Sequence, residues 1–324
     1  MTPDSRRKVL VVQPIHGAGM RLLTEAFDVQ LAPDFSVPTL AREVVDCAAL
    51  LVRSAPIPAS VIEAGVLLRI ISCHGVGVDK IDVPAALRRG IPVAITPYAN
   101  TVSVAEHTFA LMLALAKRII EYDGATRAGK FAIRNTHQAV DLNGKLLGVL
   151  GMGRIGSMVC RKARAAFDME VLAYDPFVST ETIEQAGARP VRTILELIAN
   201  ADILTIHVPY TPETRGLIGA AEFRQMKPDT FLINTARGPI VDESALAYAL
   251  NERQIAGAAL DVYDPEPPDV NNPLLRLSNV VLTPHSASLT AEGVVRLATQ
   301  SAQAIVDIFE GRRPVAVVNP EVFG

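Results

Sequence analysis

The segment KLLGVLGMGRIG, residues 145–156, decides the fold. A short apolar run ends on Gly151, and Gly151-Met152-Gly153-Arg154-Ile155-Gly156 then opens the helix-like stretch IGSMVCRKARAAF. In a Gly-x-Gly-x-x-Gly turn between strand and helix, the first glycine makes the tight turn and the second lets backbone approach a pyrophosphate. The third packs the helix on the strand. Backbone N–H groups and the helix dipole then meet the phosphates. Asp175, nineteen positions beyond Gly156, closes the next strand, MEVLAYD (169–175), where an acidic residue receives the ribose hydroxyls. Its carboxylate repels a 2′-phosphate, and Pro176-Phe177-Val178 bring no arginine to meet one, so NAD is expected over NADP. Two other fragments, Gly17-Ala18-Gly19 and Gly75-Val76-Gly77, lack the third glycine.

Working outward, short apolar strands alternate with helical patterns on both sides of this turn. Before it come KVLVVQ (8–13), ALLVRS (49–54), RIISCHG (69–75) and PVAIT (92–96), with helices expected near 17–27, 58–65 and 83–89. After it come MEVLAYD, ADILTIHVP (201–209), TFLINTA (230–236), IAGAALDVY (255–263) and NVVLTPH (279–285). This rhythm means βαβ units and parallel sheets. A long helix, Thr101 to Glu121, and a polar stretch separate the two series, so two open α/β sheets are expected. The last helix, about Thr290 to Phe309, and the tail VAVVNP (315–320) are assigned back to the first domain. That domain is then discontinuous, residues 1–99 and 288–324, with the nucleotide domain at 100–287.

Composition narrows the function. The 324 residues carry 31 basic and 34 acidic side chains, a net charge of −3, with 49% apolar residues and 5% aromatics. A slightly acidic chain with no tryptophan and no basic run lacks the electrostatic footprint and stacking residues of a nucleic-acid binder. Cys47, Cys73 and Cys160 show no disulfide framework or metal spacing, so no metal is expected and a reducing cytoplasm fits. Glu106, His107, Lys117 and Arg118 interrupt the longest apolar stretch, which argues against a membrane span. The polar start, residues 1–8, gives way to an apolar run too short for a signal peptide.

Three strand ends carry polar residues that packing explains poorly: Asn234 to Gly238, Leu260 to Pro267, and Thr283-Pro284-His285. In open α/β sheets ligands bind beyond the carboxyl ends of strands, so all three groups are expected near the nicotinamide. An arginine, a carboxylate and a histidine are what carbonyl reduction needs: a cationic donor for an acid, and an imidazole tuned by a carboxylate to move a proton.

With these residues in view, the chain resembles the D-isomer-specific 2-hydroxyacid dehydrogenases, in particular the phosphoglycerate dehydrogenase and hydroxypyruvate reductase branch. The likeness runs through LVRS (51–54), GVGVDKID (75–82), NTVSVAEH (100–107), LLGVLGMGRIG (146–156), HVPYTPETRGLI (207–218), NTARGPIVDESAL (234–246), ALDVY (259–263), PEPP (265–268) and NVVLTPH. It implies two doubly wound domains, an NAD-binding Rossmann domain inserted into a flavodoxin-like substrate domain. It also implies a reversible hydride transfer to a small 2-hydroxy or 2-keto acid.

By that resemblance Arg237 binds the substrate's carboxylate and carbonyl, His285 is the general acid/base, and Glu266 hydrogen-bonds His285 and raises its pKa. The cofactor residues are Gly151, Gly153, Arg154, Ile155, Gly156, Asp175, His207, Pro209, Thr214, Thr235, Ala236, Asp261 and His285, with Asp261 on the nicotinamide carboxamide. Substrate contacts are Arg53, Ser54, His74, Val76 and Gly77, beside Arg237 and His285, the amides of Val76 and Gly77 forming an anion nest.

His74, Lys80 and Ser286-Ala287-Ser288 depart from the family's usual residues, the last replacing a glycine-containing stretch. Glu266 separates the chain from formate dehydrogenases, which place glutamine there. His107 reads as packing beside the cofactor, and His16 and His137 as solvated. Because the chain stops at Gly324, a C-terminal regulatory extension and serine feedback are not expected. A homodimer is expected through the apolar face of helix 101–120 and the arm at 121–140. The alternative reading is an NAD(H)-sensing protein like the C-terminal binding protein corepressors, which share this fold.

Overall fold

The computed structural model describes residues 7–136 and 138–324, so His137 and the first six residues lie outside the described residues. The chain divides into two compact units, 1–100 with 289–324, and 101–288.

In the first unit, five parallel strands, β1 (Lys8–Val11), β2 (Asp28–Leu31), β3 (Cys47–Val52), β4 (Ile70–Cys73) and β5 (Val93–Ala94), lie in the order β2-β1-β3-β4-β5. This is the flavodoxin-like winding. Every residue of β3 is buried, as expected of a central strand covered by helices on both faces. Side chains alternate between the two faces: Leu10, Leu50 and Ile71 join one core, and Val9, Val11, Ala49, Leu51 and Ile70 the other. The helix Ala291–Phe309, capped by the Thr290 hydroxyl on the Gly293 N–H, packs on this second face. Beyond it the tail returns to the sheet edge. Asn319 is buried, accepts from the Val93 N–H at 2.8 Å and donates to the Ile91 carbonyl at 2.8 Å.

The second unit contributes β6 (Leu146–Leu150), β7 (Glu170–Tyr174), β8 (Arg189–Pro190), β9 (Ile203–Ile206), β10 (Phe231–Asn234), β11 (Gly257–Leu260) and β12 (Val280–Leu282). Their order is β12-β11-β10-β9-β6-β7-β8, and every pairing is parallel. Seven carboxyl ends therefore share one edge, and the winding reverses between β6 and β9, where doubly wound sheets bind nucleotides. Leu147 and Val149 face one core, while Leu150 faces the other with Leu204 and Ile206.

Three local expectations are corrected. The expected helix from Thr101 to Glu121 is two helices, Thr101–Ala116 and Ile119–Arg127, broken where Arg118 takes a left-handed backbone with φ 53°. Strands β2 and β8 were not anticipated in the sequence. The apolar face of Thr101–Ala116 is already covered by β10, β11 and the helix Arg154–Phe167. Apart from Val102 near its start, the apolar side chains left exposed here come after it, at Ile119, Ile120, Phe131 and Val140.

Candidate active site

The glycine turn is built by steric necessity. Gly151 has φ 96°, and a Cβ there would lie 2.7 Å from the His207 carbonyl carbon, so the ends of β6 and β9 approach as only glycine permits. At Gly156 a Cβ would stand 2.0 Å from the Gly151 carbonyl oxygen, which fixes helix Arg154–Phe167 against the turn. Gly153 differs: nothing lies within 4 Å of its would-be Cβ, and it begins the helix without a side-chain cap. The helix thus presents its amino end, with Arg154 and half-buried Ile155 in its first turn, to open space that a pyrophosphate fits.

Asp175 follows β7 and is half-buried. One carboxylate oxygen accepts from the Met152 N–H at 2.8 Å and the other from the Phe177 N–H at 2.9 Å. The acidic residue is therefore tied to the glycine loop itself. His207, at the end of β9, shares a hydrogen bond of 3.0 Å with the Thr205 hydroxyl, and burial pushes its imidazole down to about 3. Next to it the Thr214 hydroxyl donates to the Pro209 carbonyl at 2.8 Å and closes that loop. Thr235 is buried against Thr108, their hydroxyls 3.2 Å apart.

The chemistry-bearing residues follow β10, β11 and β12. Asn234 shapes the Arg237 loop, accepting from the Ala236 N–H at 3.0 Å and donating to the Arg237 carbonyl at 2.9 Å. The Arg237 guanidinium donates to the Ala236 carbonyl at 2.7 Å. A Cβ on the next residue, Gly238, would lie 2.1 Å from the Tyr263 carbonyl, so this loop rests directly on the segment after β11. Tyr263 in turn gives its N–H to Glu266 at 3.3 Å and its hydroxyl to the Thr283 carbonyl at 2.8 Å. Burial, with the Asp261 charge behind it, pushes the Tyr263 phenol up to about 12.

His285 and Glu266 meet. The imidazole Nδ1 lies 3.0 and 3.1 Å from the two Glu266 oxygens, and the His285 side chain is 47% exposed. Asp261 is fully buried, and its oxygens accept from the Thr283 hydroxyl and the Ser286 and Ala287 N–H groups. Burial works to raise its carboxyl, but these hydrogen bonds and the nearby His107 ring outweigh burial and hold it below the usual range. Thr283, named in the sequence only as part of the strand end that carries His285, and His107, read as packing beside the cofactor, meet here through a hydrogen bond of 3.0 Å.

The expected substrate residues of the first unit gather where β3 and β4 end. Arg53 donates to the Pro14 carbonyl at 2.9 Å, and Ser54 accepts from the Gln13 amide at 3.0 Å. Burial and the Arg53 charge push His74 down to about 4. Val76 is partly exposed, and the Cys73 thiol donates to the Gly77 carbonyl at 3.2 Å. His16 is exposed and accepts from the Ala18 N–H through Nδ1. Among the described residues no group of three His, Cys, Asp or Glu is placed to hold a metal ion, and no helix is long and apolar enough to cross a membrane.

A doubly wound parallel sheet with a glycine turn where its winding reverses is the arrangement that holds dinucleotides. Residues 109–287 match the family described as D-isomer specific 2-hydroxyacid dehydrogenase, NAD binding domain, and the chain belongs to that family. It is 44% identical to a D-3-phosphoglycerate dehydrogenase of Archaeoglobus fulgidus over 94% of its length, but spans only 58% of that relative. It is 39% identical to a glyoxylate reductase of Korarchaeum cryptofilum, covering 97% of this chain and 96% of the relative. Among solved structures, an NADPH-dependent glyoxylate/hydroxypyruvate reductase of Sinorhizobium meliloti, in complex with NADP and malonate, superposes with a TM-score of 0.88. It is 28% identical and covers 97% of each chain.

The second and third glycines of the turn separate fold from binding. Gly156→Ala should lower the melting temperature, since its Cβ meets backbone. Gly153→Ala should leave melting unchanged yet weaken NADH binding at least tenfold by fluorescence titration. Equal melting losses in both variants would contradict this division.

Proposed function

We propose that the protein is an NAD-dependent D-2-hydroxyacid dehydrogenase, catalysing reversible hydride transfer at C2 of a small 2-hydroxy or 2-keto acid. The observation that carries this reading is the exposed His285 imidazole paired through Nδ1 with Glu266, on the sheet edge that also bears Arg237 and the glycine turn. Its Nε2 is left for a substrate oxygen. When bound, the nicotinamide gives or takes the hydride.

In reduction, the His285 imidazolium gives its proton to the carbonyl oxygen as that oxygen becomes a hydroxyl. In oxidation the neutral ring takes the proton back. The Glu266 carboxylate favours the charged ring, and the Arg237 fork binds the substrate's carboxylate and polarises its carbonyl. In the first unit, Arg53, Ser54, His74 and the N–H groups of Val76 and Gly77 supply further acid-binding groups. The substrates are acids of the kind named for the relatives: 3-phosphoglycerate, glyoxylate or hydroxypyruvate. The Asp175 carboxylate selects NAD over NADP. The reading further places the enzyme in the cytoplasm, where the three free, buried cysteines stay reduced, and gives it no nucleic-acid or membrane partner.

A second copy of the chain is the proposed partner. The support comes from Ile119, Ile120 and Phe131, between 52% and 63% exposed in the segment after Arg118. Beside it lies a cavity of about 530 Å³ lined by Leu115, Val140, Phe231, Val280 and Val281. Apolar exposure of this kind marks an interaction surface.

NADH oxidation against a panel of 2-keto acids tests the activity, and NADH binding without turnover on any acid would favour the sensing protein instead. His285→Ala should cost about 10²–10⁴ in rate. Glu266→Gln keeps a partner for Nδ1 while losing the charge, so it should cost less than His285→Ala, and an undiminished rate would remove Glu266 from the proton transfer. Asp175→Asn keeps one acceptor for the loop while losing the charge, so the NAD/NADP preference should narrow. For the assembly, light scattering at micromolar concentration should return a dimer, and a monomer would end that proposal.

A further inference from the structure

His285 is held from two sides by different groups. Glu266 fixes its ring through Nδ1. Its backbone, with φ 51°, lies in the left-handed region that a side-chain-bearing residue adopts only where its surroundings impose it. Asp261 supplies that imposition. The carboxylate accepts from Ser286 and Ala287 N–H groups at 2.8 and 2.9 Å on one side of His285, and from the Thr283 hydroxyl at 2.6 Å on the other. Thr283 is itself in register with the sheet, its N–H on the Leu260 carbonyl at 2.9 Å.

Counting protons assigns the rest. Asp261 is ionised and can only accept, so the single Thr283 hydroxyl proton points to it. The Thr283 oxygen is then an acceptor toward the His107 Nε2 at 3.0 Å, and His107 must carry its proton on Nε2 and donate it. His107 reaches in from the helix Thr101–Ala116, with its Nε2 also 3.6 Å from an Asp261 oxygen. The result is a directed chain, His107 N–H to Thr283 O–H to Asp261, that ends on the peptide groups just past His285.

We propose that His107 and Thr283 are positioning residues for proton transfer, acting through Asp261 to hold His285 where its Nε2 meets the substrate oxygen. The inference rests on the reading of His285 as the general acid/base. A His285 displaced by a fraction of an ångström keeps the cofactor and the acid bound but transfers its proton slowly, so the loss belongs in kcat.

Thr283→Val removes the hydroxyl at nearly constant shape, and Thr283→Ser keeps it. With a 2-keto acid that the wild type reduces, Thr283→Val should lower kcat about 10- to 100-fold. KM and the NADH dissociation constant should stay within about threefold, and Thr283→Ser should recover most of the loss. His107→Phe reads the same chain from its other end without touching the loop, and should lower kcat in the same direction. Undiminished kcat in both Thr283→Val and His107→Phe overturns the proposal. So does equal impairment of the Val and Ser variants, which would make shape rather than the hydroxyl the cause. A matching loss of NADH affinity would also overturn it, by making the chain a cofactor support. If Thr283→Val does not fold, His107→Phe decides alone. His285→Ala, run in parallel, separates the two readings: a retained rate there removes the general acid/base itself.

Discussion

The second unit depends on the contact between Gly151 and the His207 peptide. Strands β6 and β9 start the two halves of the sheet and leave in opposite directions, so the chain ends beside them must part to make a crevice. With 2.7 Å between a would-be Cβ and the neighbouring carbonyl carbon, no side chain separates the strand ends before they part. From that point the helix Arg154–Phe167 is seated by Gly156, the loop is held by Asp175, and the histidine at the end of β9 bonds the Thr205 hydroxyl. A turn that looks permissive in sequence is one of the least adjustable places in the molecule.

The other constraint is that loops after three adjacent strands support one another. Gly238 lies against Tyr263, Tyr263 holds Glu266 and the end of β12, and Asp261 holds the Ser286 and Ala287 peptides beyond His285. Arginine, glutamate and histidine are thereby carried by loops that hold one another in place. This arrangement suits an exposed imidazole that must reach a substrate yet stay oriented.

Legibility in the sequence tracks the range of the interactions. The glycine turn, the terminal aspartate and the apolar strands after residue 145 announce themselves because their determinants are consecutive or evenly spaced. Strand β2 does not, since none of its four residues is buried and its pattern resembles a surface turn; β8 has only two residues. The break at Arg118 is hidden because apolar residues continue on both sides of it, while the left-handed backbone leaves no mark in composition. His107 can be read only as packing, for its partner Thr283 lies 176 residues away. The reach of Asp261 toward the loop is equally invisible. A buried carboxylate at a strand end reads the same whether it serves a ligand or the chain itself.

The return of the tail to the first sheet has a consequence for the order of assembly. Asn319 stands against β5 as a neighbouring peptide group would, one acceptor and one donor at the proper spacing, so the edge is finished by a side chain supplied from the far end of the chain. The helix Ala291–Phe309 likewise covers a face of strands made long before it. On a ribosome, residues 101–288 emerge contiguous and able to close their own core, while the earlier strands wait with one face only partly covered. The inserted unit is therefore complete first, and the surrounding one, though synthesis begins with it, is the last to be sealed.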